Sequence, residues 1–405
     1  PGTNKYYLHS FHKDQPDLNW QNPVLREEIY KMINWWLGKG IAGFRIDAII
    51  NIKKDLEWRS LPSDRDNGLV PVPESLVNAQ PIEPFLQELK ERTFAKYNAF
   101  TVGEVFNETD EELHFFIGKD GVFSSIFDFK QTMLGQEGKG WFDHSLPTAD
   151  EFKESIFQAY ERADSIGILS TIIENHDEPR GVSHYIAEGP VNDTSKKALG
   201  TIQILRKGIP FIYQGQEIGM ENQVFESVED FDDIATINGY HVAKEAGLSE
   251  EEALAVIAKY SRDNARTPMQ WSREPGLGFS DGPAWLISPK PDVAINVEDQ
   301  EKDPNSILNY YRQLTALYRH PLYGNTIRFG DMIPAYRDRE NIIAFERRGD
   351  KRLLVISNFQ NREATLELPT PIETVVLNNI AGLFQEGEQV LELAPYQTVV
   401  LELVE

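Results

Sequence analysis

The stretch Gly43-Phe44-Arg45-Ile46-Asp47 is the most informative about the fold, because an apolar run ends there in a cation and a carboxylate. Residues 41–46 follow a helical pattern and predict a short buried strand. Alternate residues of a strand share one face, so Arg45 and Asp47 are expected to lie side by side. A nearby guanidinium keeps a carboxylate ionised, as a nucleophile requires. A purely structural ion pair would show the same pattern.

Composition restricts the class of protein. The 405 residues exceed the usual size of a single hydrophobic core, so two or three domains are expected. The formal net charge of -24 argues against nucleic acid and anionic membranes as partners and favours a neutral substrate. The chain has no cysteine, which excludes disulfides and is typical of a reducing compartment. No apolar run of about 18 residues occurs, so no transmembrane helix is expected.

Helical and strand patterns alternate over residues 1–329. The first helix is predicted to begin at Asn22 and Pro23, a favourable N-cap and first helical residue. Further helices are predicted over 84–95, 150–162, 194–206 and 305–319. Strands are predicted between them over 99–104, 166–173 and 210–214. This alternation is typical of a parallel sheet covered by helices, as in a (β/α) barrel.

The pattern changes near residue 330, where helical periodicity ends. A separate antiparallel β domain is predicted over 330–405, with strands over 342–347, 352–358, 363–368, 373–377 and 398–404. Residues 221–262 form a long acidic insertion into the barrel pattern, with a helical segment near 250–260. An insertion of that length is expected to be functional or to lie on the surface.

Carboxylates also follow two later strand patterns. Glu104 ends one, and burial with few cationic neighbours in sequence is expected to raise its pKa, as a general acid requires. A buried structural carboxylate is the alternative. His176 and Asp177 follow the next predicted strand and are expected to bind substrate hydroxyls. An ionised carboxylate beside a carboxylic acid of raised pKa is the pair that cleaves glycosidic bonds. Three aromatic residues are candidates for stacking on sugars, although core packing is commoner: Phe106, Trp58 and Tyr213.

These motifs resemble conserved regions of the α-amylase superfamily, glycoside hydrolase family 13. The matching segments are 43–47 (GFRID), 102–106 (VGEVF) and 175–177 (NHD). Segments 15–19 (QPDLN), 213–220 (YQGQEIGM) and 261–271 (SRDNARTPMQW) resemble the oligo-1,6-glucosidase and α-glucosidase branch. The resemblance implies an α/β fold, a (β/α)8 TIM barrel followed by the antiparallel domain. It also implies that only about strands four to eight lie in this chain, with residues 1–22 ending the loop domain after strand three.

The resemblance implies a role for each candidate site residue. Asp47 would be the nucleophile, Glu104 the acid and base, and Asp177 the stabiliser of the transition state. Substrate binding would fall to Arg45, His176, Arg266, Glu217, Phe106 and Ala48. For Glu217 and Arg266, loop salt bridges are the alternative.

Two positions depart from the branch and affect specificity. Strictly α-1,6-specific members tend to carry Val where this chain has Ala48, so α-1,4 or mixed specificity is predicted. Glu178 stands where Gln is usual. Its charge would matter only if the side chain were buried, because a buried charge shifts the pKa of its neighbours.

The resemblance implies a retaining, exo-acting α-glucosidase that hydrolyses terminal α-1,4- and/or α-1,6-linked glucose from short oligosaccharides. One alternative is a transglycosylating isomerase of the sucrose or trehalose type. The other is a non-catalytic binding or accessory homologue, although such proteins generally lose the catalytic acids that are present here. No cofactor is expected, and the resemblance allows a structural calcium ion in the missing N-terminal part that would hold strands one to three. A cytoplasmic location is predicted. The sequence makes no prediction of the oligomeric state.

The absence of barrel strands one to three leads to a further expectation. A barrel without them has open sheet edges and an uncovered core. The 405 residues by themselves are therefore expected to be inactive and poorly stable, and the family's activity to belong to a longer polypeptide.

Overall fold

The computed structural model of the protein describes most of the chain. The described residues are 4–57, 59–63, 68–70, 79, 81–106, 108–136, 138, 140–187, 189–286, 291–382 and 384–404. Trp58, one of the aromatic candidates, lies outside them. The chain divides into two compact units, the first of residues 1–127 and 162–168 and the second of residues 128–161 and 169–405. The predicted domain boundary at residue 330 stays a prediction.

Helices and strands alternate through the first 329 residues, as the sequence predicts. The α-helices are α1 (Pro23–Gly38), α2 (Glu83–Arg92), α3 (Phe94–Tyr97), α4 (Asp110–Ile117), α5 (Ala149–Ala163), α6 (Gly181–Tyr185), α7 (Asp193–Leu205), α8 (Ile234–Glu245), α9 (Glu250–Tyr260), α10 (Asp263–Arg266), α11 (Val297–Lys302), α12 (Ile307–Tyr318) and α13 (Gly324–Phe329). Short 3-10 helices are Ile49–Ile52, Trp141–Asp143, Gln216–Ile218, Val228–Asp230 and Pro275–Gly278. The strands in this part are β1 (Gly43–Ile46), β2 (Phe100–Gly103), β3 (Ser125–Ile126), β4 (Ser170–Thr171) and β5 (Ile209–Pro210).

The first unit places β1 and β2 side by side. Helix α1 begins as predicted, because the side chain of Asn22 accepts a hydrogen bond from the Val24 amide at 3.0 Å. Strands β1, β2 and β3 pair in parallel in that order. Glycine is required at Gly43, since a Cβ atom there would lie 1.7 Å from the carbonyl oxygen of Phe100.

One strand was not predicted, and two predicted strands need correction. Strand β3 was not predicted, so the strands that precede Asp47, Glu104 and Asp177 are not successive in the chain. The strand expected over 166–173 is limited to β4, and the strand expected over 210–214 is replaced by β5, which begins one residue earlier and ends at Pro210. Strands β4 and β5 pair in parallel. Apolar runs in these places continue as irregular chain, and two-residue strands are too short to produce a period in the sequence.

The second unit contains the predicted antiparallel sheet. Its strands are β6 (Asp331–Ala335), β7 (Ile342–Arg348), β8 (Arg352–Asn358), β9 (Ala364–Glu367), β10 (Ile372–Asn378), β11 (Val390–Leu393) and β12 (Thr398–Leu403). The main sheet has the order β10-β12-β8-β7-β6, and β9 pairs with β11. Strands β6 and β11 were not predicted. One hydrophobic core joins this sheet to helices, since Phe345 and Val355 belong to the same buried cluster as Leu199 and Leu314.

The acidic insertion is mostly helical. The predicted segment is α9, which begins with a capping box formed by Ser249 and Glu252. Helix α8 was not predicted, and Asp233 caps it by accepting a hydrogen bond from the Thr236 amide. Among the residues that the structure describes, no helix combines the length and the apolar character needed to cross a bilayer.

Candidate active site

The end of β1 carries the predicted charge pair. Nη1 of Arg45 donates to Oδ1 of Asp47, so the shared face is confirmed. The Asp47 side chain is 72% exposed, which leaves its second oxygen accessible to a ligand. Ala48 follows in the left-handed region with φ of 40°. Strand β1 therefore presents one accessible carboxylate at its carboxyl end.

Glu104 lies at the end of the neighbouring strand β2 and approaches the same group. Its side chain is only 6% exposed, and Oε1 is 2.6 Å from Nη2 of Arg45. Oε2 accepts the amide hydrogen of Ala48 at 2.7 Å. The expectation that Glu104 has few cationic neighbours held only along the chain, because Arg45 binds both carboxyl groups in the fold. Ala48 accordingly contributes its backbone amide as well as a small side chain.

The two carboxyl groups of the first unit differ in environment. Burial raises the pKa of Glu104, and the charge of Asp47 and a hydrogen bond with it act in the same direction. The Ala48 amide and the Arg45 guanidinium lower the pKa of Glu104 without cancelling the effect of burial. The predicted direction of this shift is confirmed. A buried carboxyl group of raised pKa therefore lies in contact with the exposed side chain of Asp47.

The second unit surrounds Asp177 with cations. Oδ1 of Asp177 is 2.7 Å from Nη2 of Arg266 and 3.1 Å from Nη1 of Arg262. Nε2 of His176 lies 3.1 Å from Oδ2. Arg266 is itself anchored on the chain next to its target, since its Nε donates to the carbonyl oxygen of His176 at 2.9 Å. The structure thus brings together the predicted residues His176, Asp177 and Arg266.

Arg262 was missed as a separate site residue, although it stands in the quoted segment 261–271. Its Nε donates to Oδ1 of Asp233 at 2.7 Å. Arg262 and Arg266 are four positions apart, which is the spacing that places two side chains on one face of a helical turn. This spacing could have identified Arg262 as a second candidate beside Arg266.

A buried ion pair supports the turn that carries Asp177. Arg180 and Glu174 are both about 1% exposed, and Nη1 of Arg180 is 3.1 Å from Oε1 of Glu174. Nη1 of Arg180 also donates to the carbonyl oxygen of Gln214 at 2.7 Å, and its Nε donates to that of Asn264 at 3.3 Å. The pair therefore connects three loops of the second unit. These contacts could not be predicted from the sequence, because the loops are far apart in the chain.

Glu178 is partly buried next to Asp177. Burial, together with the charge of Asp177, raises the pKa of Glu178 to about 8. A hydrogen bond with Thr132 and the charge of Arg262 oppose this shift. Glu178 thus lies between the exposed and buried outcomes considered for this departure, and the raised pKa is its own.

The remaining candidates have structural contacts. Oε2 of Glu217 accepts the Gly215 amide hydrogen at 2.8 Å, within its own turn. The hydroxyl of Tyr213 donates to the carbonyl oxygen of Ala265 at 3.0 Å, and its ring lies 5.4 Å from the Arg180 guanidinium carbon. These contacts favour packing roles for Glu217 and Tyr213. Phe106 is partly buried after β2. Among the described residues, no three His, Asp or Glu side chains are grouped so as to hold a metal ion.

Comparison with protein families agrees with these features. The description "Alpha amylase, catalytic domain" matches residues 2–322, and "Alpha-amylase SusG C-terminal domain" matches residues 342–400. The chain belongs to the α-amylase family. The predicted fold class, a barrel-type catalytic domain followed by an antiparallel β domain, is confirmed at that level.

Curated members of the α-amylase family resemble nearly the whole chain. It is 36% identical over 404 residues to the probable oligo-1,6-glucosidase 3 of Bacillus subtilis (strain 168), covering 98% of this chain and 71% of that protein. It is 34% identical over 407 residues to the oligo-1,6-glucosidase of Bacillus cereus, covering 99% of this chain and 72% of that protein. These relatives are glycoside hydrolases, so the prediction of an enzyme of that class is confirmed.

Solved structures of related enzymes have the same fold over nearly the whole length of this chain. The isomaltulose synthase from Klebsiella sp. LX3 matches with a TM-score of 0.90 and 30% identity, covering 98% of this chain and 72% of that one. The trehalulose synthase from Pseudomonas mesoacidophila MX-45 matches with a TM-score of 0.88 and 31% identity, covering 98% and 72%. Both names denote enzymes that form disaccharides.

Proposed function

We propose that the protein is a retaining, exo-acting α-glucosidase that removes terminal glucose from short oligosaccharides. The observation that best supports it is the pair formed by exposed Asp47 and buried Glu104, whose carboxyl groups are in hydrogen-bonding contact. Closely spaced carboxyl groups are typical of retaining enzymes, because an inverting pair needs roughly 6.5 to 9.5 Å to accommodate a water molecule.

The reaction takes place in two displacements. In the first, an Asp47 oxygen bonds to the anomeric carbon while the glycosidic bond breaks, and Glu104 gives its proton to the leaving oxygen. In the second, the Glu104 carboxylate takes a proton from water, whose oxygen attacks the anomeric carbon and releases Asp47. Arg45 contacts both carboxyl groups and stabilises whichever is charged.

The residues around Asp177 bind the terminal glucose in this proposal. Asp177 accepts hydrogen bonds from sugar hydroxyls and His176 donates one. Arg266 holds Asp177 and binds the non-reducing end, which restricts cleavage to terminal residues. The contacts of Asp177 support its role as an acceptor, because its Oδ1 already accepts hydrogen bonds from Arg262 and Arg266.

The test uses the natural polypeptide that contains these residues. With p-nitrophenyl α-glucoside, proton NMR is expected to show α-glucose before mutarotation. A 5-fluoro-α-glucosyl fluoride is expected to add one fluoroglucosyl mass to the peptide that carries Asp47. Initial β-glucose would overturn the retaining mechanism, and no glucose release from any α-glucoside would overturn the activity.

Linkage preference depends on the second sugar. The small side chain of Ala48 supports α-1,4 or mixed specificity, although several relatives are named for α-1,6 linkages. Comparable kcat/KM values for maltose and isomaltose are expected. A strong preference for isomaltose would contradict this part.

A second candidate is a sucrose isomerase, which the similarity to isomaltulose and trehalulose synthases favours. The glucosyl group would then pass from Asp47 to a hydroxyl of the retained fructose instead of water. Incubation with sucrose separates the two, because a hydrolase releases glucose and fructose in equal amounts and an isomerase yields mainly a new disaccharide.

A further inference from the structure

The acidic insertion reaches Asp177 through one side chain. Arg262 ends the insertion, and its guanidinium lies between Asp233 and Asp177 at 2.7 Å and 3.1 Å. The Arg262 side chain is 32% exposed, whereas that of Asp233 is 3% exposed. The buried carboxylate is therefore the fixed end of this contact, and the guanidinium is directed from it toward Asp177.

Asp233 is held firmly from several directions. Its Oδ2 accepts the amide hydrogen of Thr236 at 2.9 Å and the Thr236 hydroxyl at 2.8 Å. Its own amide donates to Oδ2 of Asp263 at 2.9 Å. Asp263 is fully buried and follows Arg262 directly. The N-terminus of α8 and the segment that carries Arg262 are thus joined on both sides of the guanidinium.

The two cations on Asp177 are anchored differently. Arg266 takes its support from the His176 carbonyl, next to Asp177 in the chain. Arg262 takes its support from Asp233, which lies 29 residues earlier in the insertion. A guanidinium fixed at Nε presents its Nη atoms in a defined direction. Without Asp233, a part-exposed arginine would lose that direction to rotamer freedom.

We propose that Asp233 is a positioning residue for the glycosidase reaction, which orients Arg262 on Asp177 and so makes the acidic insertion part of the active-site support. Asp233 touches no reacting atom and acts through Arg262. The role rests on the proposed α-glucosidase activity.

The test replaces the charge of Asp233 and keeps its capping function. Asn is as good an N-cap as Asp, so Asp233→Asn retains the start of α8 and removes the anion that holds Arg262. We expect kcat/KM to fall by about 10- to 100-fold, the usual range for lost support of a functional group, while thermal stability stays near that of the wild type. Asp232→Asn is the matched control and is expected to retain wild-type kinetics. Asp233→Ser, which also caps, replaces the Asn variant if that one does not fold.

A double-mutant cycle separates positioning from general destabilisation. Asp233→Asn is expected to cost little further activity in a protein that already carries Arg262→Gln, because both changes remove one contact. Wild-type kinetics for Asp233→Asn, or losses that multiply in the double variant, would overturn the positioning role alone. A wild-type protein that hydrolyses no α-glucoside would instead overturn the proposed activity, and this role with it.

Discussion

The two compact units differ in the ratio of guanidinium to carboxyl groups at their candidate site residues. At the ends of β1 and β2, one guanidinium serves two carboxyl groups, since Arg45 contacts both Asp47 and Glu104. After β4, two guanidiniums serve one carboxylate, since Arg262 and Arg266 both contact Asp177.

The difference in charge balance suits different chemistry. One cation is shared by two acids in the first unit, and burial raises the pKa of Glu104, as general acid catalysis requires. Two cations contact one acid in the second unit, where Oδ1 of Asp177 accepts hydrogen bonds from both. A glycosidase needs both, and the following changes test the contrast in order of expected effect.

Removal of the exposed carboxylate of the first pair should have the largest effect. Asp47→Ala is expected to lower kcat by about 10⁴-fold or more, since it removes the oxygen that bonds to the anomeric carbon. Steady-state kinetics with p-nitrophenyl α-glucoside measures this. Asp120→Ala, an exposed acid of the same unit, should retain wild-type kinetics. Unchanged turnover by Asp47→Ala would remove the nucleophile assignment.

Replacement of the Glu104 carboxyl group should lower the activity somewhat less than replacement of Asp47. Glu104→Gln is expected to lower kcat/KM for maltose by about 10²- to 10⁴-fold, the usual contribution of a general acid. The loss in kcat/KM should be much smaller for 2,4-dinitrophenyl α-glucoside, whose leaving group needs no proton. Equal losses for both substrates would show that Glu104 does not protonate the leaving group.

The support of the second site can be broken without touching Asp177. Arg180→Met removes the partner of the fully buried Glu174, so the free energy of unfolding should fall by about 3–5 kcal/mol. Urea denaturation measures the change. Arg312→Met removes an exposed pair with Glu301 and should change that free energy by no more than about 1 kcal/mol. Equal effects would show that the buried pair does not support the turn.

The smallest effect is expected at Glu178, the extra acid beside Asp177. Its pKa is about 8 in the folded protein and near 4.5 ordinarily, so the folded protein keeps a proton that the unfolded chain loses. Stability is then fully present below pH 4.5 and falls as the pH rises toward 8. Because the side chain is only partly buried, we expect a loss of about 1 kcal/mol over this range, which Glu178→Gln removes.

Thermal unfolding of both proteins at pH 5 and pH 8 checks this expectation. Glu178→Gln should be more stable than the wild type at pH 8 and equally stable at pH 5. Glu229→Gln, an exposed acid of the insertion, should show no such difference. If Glu178→Gln raised the thermal stability equally at pH 5 and pH 8, Glu178 would not be the group that titrates.

Local sequence was sufficient for several features. The Asn22 cap, the α9 segment and the β-rich C-terminal region could be predicted because capping and periodicity involve neighbours in the chain. The shared face of Arg45 and Asp47 follows from strand geometry alone. The three carboxylates were found through their motif contexts, and their catalytic roles stay predictions.

The tertiary structure alone decided how charges are shared. Ala48 and Glu104 are 56 positions apart, and Arg262 and Asp177 are 85 apart, so no local period relates them. The same holds for the contacts of Arg180 with Gln214 and Asn264. The sequence by itself determined which ionisable groups are present at the strand ends. Folding determined which of them are buried and which cation each one meets, because the pKa of a carboxyl group depends on distances that only the packed chain sets.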